Sequence, residues 1–227
     1  MDIGEGFPND EALLEFATSA NVCCGEHAGN WELTLTTIAM CRSKGVRIGM
    51  HPGFPDRQSM GRRVPKHIPG NWLQSLTDQS LRFWEWYKPA YLKPHGAWYN
   101  ILASLPDDAI DPQSNGDCAR VLFELENRLK LPIMIMPMGG AFRAIQANGG
   151  RVICEGFADR GYGADGTLIP RMKPGAILED SDAIQKQVLA LTSKVDSICL
   201  HGDSSSCLEF AELVKRTLVD GGYEVGF

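Results

Sequence analysis

Short apolar runs alternate with longer amphipathic ones along almost the whole chain. Met1 to Glu5, Ala20 to Cys23, Val46 to Met50, the start of Tyr91-Leu-Lys-Pro-His-Gly-Ala-Trp-Tyr-Asn100, Leu131 to Met136, Arg151 to Glu155 and Asp196 to Leu200 are brief and nearly continuous in apolar residues. That is the signature of strands buried on both faces, as in a parallel sheet. Between them lie runs of helical period. The pattern predicts helices from Asp10 to Ala17, Trp31 to Lys44, Asn71 to Tyr87, Asp117 to Lys130, Gly140 to Asn148, Asp182 to Lys194 and from Ser204–206 to Val219. Asn9, Asn30 and Asn71 stand where N-caps belong, and Gly45 where a C-terminal glycine belongs. A polar linker is expected around Pro106 to Gly116, and a long loop rich in Pro, Gly and Arg from His51 to Gly70.

Strand–helix alternation of this kind builds βα units. The count is seven strands. Nearly every apolar run ends in a polar burst, and a closed barrel collects such bursts at one mouth, whereas an open sheet gathers ligands at one switch point. The expected fold is therefore a seven-stranded parallel β/α barrel, one domain over residues 1–227.

The bursts carry the candidate chemistry. Four of the five histidines lie in them: His27, His51, His95 and His201, each beside Gly, Ala or Pro. The mouth of the expected barrel would hold Asp2, Glu5, Asn21, His27, His51, Asp56, Lys93, His95, Asn100, Glu155, Asp159, Arg160, His201 and Asp203. Acids and imidazoles crowded together shift one another's pKa, the basis of acid–base catalysis. Lys93 and the arginines are suited to a carboxylate or phosphate. Plainer readings stand beside these. A histidine next to Gly can simply satisfy loop carbonyls. Arg62 and Arg63 either pin the loop to the rim or bind an anion. Asp159 and Arg160 are expected to pair with each other, His67 to sit on the surface, and Cys23 and Cys24 to pack. Asp2, His51 and His95 make an adequate donor set for a divalent metal ion, although no H-E-x-x-H spacing supports it.

Composition narrows the classes. The net charge is −6, with no basic stripe, which argues against nucleic-acid binding. Seven cysteines without C-x-x-C spacing fit reduced, buried thiols in the cytoplasm. No run is long enough to span a membrane, and Met1 to Gly6 lacks the features of a signal peptide. There is no G-x-x-x-x-G-K-[ST] loop, no dinucleotide fingerprint and no G-x-S-x-G elbow.

Taken in order, the bursts resemble the LamB/YcsF family. Asp2-Ile-Gly-Glu5 is similar to the end of its D-L-G-E segment. Ser19-Ala-Asn21 with Cys24-Gly-Glu-His-Ala-Gly29 is similar to S-x-N-x-A-C-G-x-H-A-G-D. His51-Pro-Gly-Phe-Pro-Asp56 and Gly61-Arg-Arg63 resemble H-P-G-Y-P-D and G-R-R. Lys93-Pro-His-Gly-Ala97 with Tyr99-Asn100 resembles K-P-H-G-A-L-Y-N. Phe157-Ala-Asp-Arg160 with Tyr162, and His201-Gly-Asp203, complete the set. The resemblance implies a seven-stranded barrel similar to the deacetylase barrels. It also implies ATP-dependent opening of 5-oxo-L-proline to L-glutamate by a 5-oxoprolinase made with two partner subunits, using ATP with Mg²⁺. Asp2, His51, His95 and Lys93 would then be catalytic, with Asp2, His51 or His95 as base and Lys93 holding an anion. Glu5, Asn21, His27, Arg62, Arg63, Asn100, Asp159, Arg160, His201 and Asp203 would bind substrate.

The chain departs from the pattern at Glu26, Asn30 and Trp98, and it begins partway into the family's first segment. The first strand is accordingly expected to be short and the barrel imperfectly closed there. A metal-dependent hydrolase or deacetylase acting alone and a non-catalytic binder of small carboxylates are the alternatives.

Overall fold

The computed structural model describes residues 1–106 and 116–226, so most of the expected polar linker lies outside the described residues. Seven strands form one sheet in sequence order: β1 (Asp2–Ile3), β2 (Ser19–Cys23), β3 (Arg47–His51), β4 (Tyr91–Leu92), β5 (Ile133–Ile135), β6 (Val152–Phe157) and β7 (Ser197–Cys199). Every neighbouring pair is parallel. β1 and β7 meet at a single parallel bridge, Asp2 to His201. The result is a nearly closed barrel, short at its first strand as expected, and its seam is formed by two of the candidate site residues.

Eight helices accompany the strands among the described residues: α1 (Asp10–Leu13), α2 (Trp31–Ser43), α3 (Gly70–Trp86), α4 (Gly96–Ser104), α5 (Gly116–Leu129), α6 (Gly139–Ala147), α7 (Ser181–Leu191) and α8 (Cys207–Asp220). Three differ from the sequence pattern. α3 starts at Gly70 with Pro69 at its N-cap, so the expected cap Asn71 lies inside the helix. α1 stops after one turn instead of reaching Ala17. α4 begins shortly after β4, in a stretch where the sequence pattern predicts no helix. Its sequence, Ala97-Trp-Tyr-Asn-Ile-Leu-Ala, is apolar nearly all round and shows little amphipathic period. The helix is instead held by burial, with Ala97, Trp98, Tyr99, Leu102 and Ala103 all inside. Gly96 makes the turn: its φ of 55° favours glycine, and a Cβ there would lie 2.6 Å from the Gly61 carbonyl oxygen.

The core is continuous from the barrel interior to the helix faces and includes Ile3, Val22, Ile48, Met50, Leu92, Ile133 and Ile135. All seven cysteines are free and six are buried, in keeping with the packing role expected of them. The loop after β3 is tied down at several points. It holds a short 3₁₀ turn, Arg57–Ser59. The buried Gln79 of α3 clamps Gly53, accepting from its N–H at 3.1 Å and donating to its carbonyl at 2.9 Å. Arg57 reaches the carbonyls of Gly25 and Gly29 at 2.6 and 2.8 Å, which fastens this loop to the one after β2. No helix among the described residues is long and apolar enough to cross a membrane.

Candidate active site

A cavity of about 930 Å³ opens where the strands end at their C-terminal tips. Asp2, His51, Lys93, His95, Arg62, Arg63, Asn100, Arg160 and His201 line it. Glu5, Asn21, His27, Asp159 and Asp203 are absent from that lining; the first four support it from behind, and Asp203 stands with Arg62 and Arg171 at the rim. A second hollow, about 770 Å³, lies at the opposite end of the strands near Met1, Arg47 and Arg151, and contains none of the histidines.

The floor is built around Asp2. One carboxylate oxygen, Oδ1, accepts from Asn21 Nδ2 at 2.7 Å and from Lys93 Nζ at 2.9 Å. The other, Oδ2, lies 3.4 Å from His51 Nε2 and 3.8 Å from His201 Nε2. Asn21, buried and absent from the cavity lining, thus orients the Asp2 carboxylate. Its own carbonyl accepts from the Tyr91 hydroxyl at 2.8 Å. Tyr91 fits because β3 has glycine at position 49, where a Cβ would lie 2.0 Å from the tyrosine ring. Burial alone would raise the Asp2 carboxyl, but Lys93, His51 and His201 outweigh it and hold the group well below the usual carboxylate range.

Lys93 is buried between two acids, 2.9 Å from Asp2 and 2.8 Å from Glu155 Oε1. The second contact lies off the hydrogen-bonding direction. Both Glu155 oxygens and the buried Tyr99 hydroxyl therefore remain without an aligned partner. Burial opposes the charge on Lys93, yet Asp2, Cys199 and Glu155 keep its pKa well above the ordinary value.

Two histidines are fixed by backbone carbonyls. His51 Nδ1 donates to the Lys93 carbonyl at 2.8 Å and His95 Nε2 to the Met60 carbonyl at 2.8 Å. Their remaining nitrogens, His51 Nε2 and His95 Nδ1, face each other at 2.9 Å. His27 stacks flat on His95 with ring centroids 3.8 Å apart and pairs with Glu5 at 3.3 Å. Burial alone would lower the His27 imidazole, but Cys23 and Glu5 push it up to about 10. Burial would raise Glu5, but His27 and His95 bring it down to about 2. Burial and the charged His27 hold His95 well below the ordinary imidazole value. His27 and Glu5 are therefore a buried ion pair behind His95.

His201 is backed squarely by a carboxylate. Its Nδ1 lies 3.0 Å from both Asp159 oxygens, and its backbone N–H donates to Asp159 Oδ2 at 3.1 Å. Phe157 stacks against the ring at 5.6 Å. An imidazole with Nδ1–H on a carboxylate keeps Nε2 free to take a proton, and the carboxylate stabilises the cation formed. Asp159 and Arg160 do not pair with each other, contrary to the sequence reading. The Arg160 guanidinium instead donates to the carbonyls of Ala176 and Ile169 at 3.0 and 2.8 Å.

The rim is cationic. Arg62 and Arg171 both donate to the same oxygen of Asp203, at 2.9 and 2.8 Å. Burial and the neighbouring Arg171 push the buried Arg160 down to about 10, so it stays charged at neutral pH. Two guanidiniums on one carboxylate leave donors and positive charge for an incoming anion. Arg171 is a residue the sequence pattern passed over, since Ile169-Pro-Arg171 reads only as irregular chain. Arg63 turns away to Asp56 at 3.1 Å, is largely exposed and pins the loop. Asn100 is exposed on α4, and His67 is a surface residue as expected.

Known proteins match this chain end to end. The LamB/YcsF family profile matches residues 1–226. The A subunit of a 5-oxoprolinase from Pyrococcus furiosus is 31% identical over 250 residues, covering 99% of this chain and 94% of that protein. Its namesake from Neisseria meningitidis serogroup C is 36% identical over 254 residues, covering 99% and 96%. The crystal structure of a lactam utilization protein from Thermus thermophilus shares the fold, with a TM-score of 0.77 at 24% identity over 99% of this chain and 96% of that one. This chain belongs to the LamB/YcsF family.

Proposed function

We propose that this chain is the barrel component of a 5-oxoprolinase, which opens the cyclic amide of 5-oxo-L-proline to L-glutamate together with two partner subunits. The observation that carries this reading is the end-to-end match, at 31–36% identity, to proteins named as the A subunit of 5-oxoprolinase. The mouth suits the task. A lactam bearing a carboxylate needs a cation to hold it, and Arg62 and Arg171 stand at the rim with donors to spare. Ring opening needs water added to the carbonyl carbon, the C–N bond broken and a proton delivered to the ring nitrogen. In this reading His201, oriented by Asp159, takes the proton from water and returns it to the leaving nitrogen. ATP with Mg²⁺ would phosphorylate the amide oxygen with release of ADP. Water addition and C–N cleavage would then leave an acyl phosphate, which a second water hydrolyses to glutamate and inorganic phosphate. The rim arginines suit these phosphorylated anions equally well.

The test is glutamate release from 5-oxoproline by the chain with its partner subunits, with and without ATP and Mg²⁺. Release that needs all components is expected. No release by the folded, complete set would overturn the reading. Release by the chain alone without ATP would favour a hydrolase acting by itself, the alternative that the Asp2–His51–His95 cluster favours.

In the same assay, Arg171→Ala is expected to raise KM for 5-oxoproline about 10–100-fold, matching the roughly 1.5–3 kcal/mol of a charge-assisted hydrogen bond. Its melting temperature should barely move, because Asp203 keeps Arg62. An unchanged KM would remove Arg171 from the substrate site.

A further inference from the structure

We infer that Asp2, His51 and His95 form a binding site for one divalent transition-metal ion, of the Zn²⁺ or Mn²⁺ class, at the floor of the mouth. The inference stands on geometry and does not depend on which amide the mouth accepts.

The hydrogen bonds fix where the lone pairs point. His51 commits Nδ1–H to the Lys93 carbonyl, and His95 commits Nε2–H to the Met60 carbonyl. That leaves lone pairs on His51 Nε2 and His95 Nδ1, directed at each other at 2.9 Å. Two lone pairs repel across such a contact, so it needs a cation between them: a shared proton or a metal ion. Asp2 adds a third donor. Its Oδ1 is occupied by Asn21 and Lys93, whereas Oδ2 faces the histidines, 3.4 Å from His51 Nε2. The ligand atoms of all three residues lie within 4.8 Å of one another. Around an ion with bonds of about 2.1 Å, neighbouring ligand atoms sit about 3.0–3.4 Å apart; the two separations about His51 Nε2, 2.9 and 3.4 Å, are close to that range.

The surroundings are those of a supported metal site. Ligating histidines typically donate their second N–H to a carbonyl or carboxylate, and both do so here. Two imidazoles and one carboxylate suit zinc, manganese or iron better than magnesium, which prefers oxygen. All three residues line the mouth cavity, so further coordination positions face it. A second group, Glu5, His27 and His95, also lies within reach of one ion. There, however, His27 Nε2 also lies 3.3 Å from Cys23 Sγ, and the His95 Nδ1 lone pair is directed at His51 Nε2.

The experiment is calorimetric titration of the chelator-stripped full chain with ZnCl₂, MnCl₂ and MgCl₂ in turn, with metal analysis after dialysis. One zinc or manganese ion per chain is expected, with magnesium far weaker. His51→Ala and His95→Ala should each weaken binding by more than about 100-fold, beyond the 10–100-fold of a lost supporting hydrogen bond. Glu5→Gln should leave it largely intact. Should either alanine variant misfold, the visible spectrum of Co²⁺ bound to the wild-type chain reports nitrogen ligation directly. The proposal fails if the folded wild type binds no transition metal, if both alanine variants bind as tightly as it does, if Glu5→Gln abolishes binding, or if the cobalt spectrum shows oxygen ligands only.

Discussion

Lys93→Met is expected to destabilise the protein by about 3–5 kcal/mol, the range seen when one partner of a buried ion pair is removed. Methionine fills a similar volume, so the effect is almost purely one of charge. Lys93 is 2% exposed and is the ammonium shared by Asp2 and Glu155. Without it two buried carboxylates face each other across the barrel floor. Glu155 is the worse placed of the two, because neither of its oxygens has an aligned hydrogen bond, whereas Asp2 keeps Asn21. The measurement is denaturant unfolding of wild type, Lys93→Met, Glu155→Gln and the double variant. The double variant should recover part of the loss, giving a coupling energy of about 1–3 kcal/mol. A loss below about 1 kcal/mol with no coupling would mean that the three groups are not an electrostatic unit.

His201→Ala should lower kcat for glutamate release by about 10²–10⁴-fold, the usual contribution of a positioned acid–base group. Asp159 anchors the ring through both oxygens, so Asp159→Asn should give a smaller fall in kcat with the ring left in place. His201 also belongs to the bridge that closes the barrel, and stability must be measured alongside. A variant that melts like wild type but turns over slowly carries the catalytic assignment. A His201→Ala protein with full kcat would reject it and return the role of base to Asp2, His51 or His95.

Much of the barrel is written locally. Strands such as β2, β3 and β5 are short apolar runs. Helices such as α2 and α7 have an asparagine or aspartate cap where the chain turns into them, at Asn30 and Asp180. Alternation of side-chain direction is a property of neighbouring residues, so a linear pattern is enough to read it. The clustering of His51, His95, His201, Asp2 and Lys93 was legible for the same reason, because each lies at or just beyond the end of an apolar run. α4 was not legible, since its short run from Ala97 to Ala103 is apolar at nearly every position and carries no clear periodic stripe.

Linear pattern is thus sufficient for the strand–helix alternation, the strand count and the set of polar residues delivered to one mouth. Which of those residues touch is settled by the folded barrel. Asp159 lies beside Arg160 in the chain yet bonds His201, 42 positions away. Arg171 joins Arg62 only through Asp203, and Asn21 turns out to serve Asp2. These pairings depend on the stagger and closure of the barrel, which bring residues from opposite ends of the chain to neighbouring positions. No local spacing encodes a distance set by the whole ring of strands.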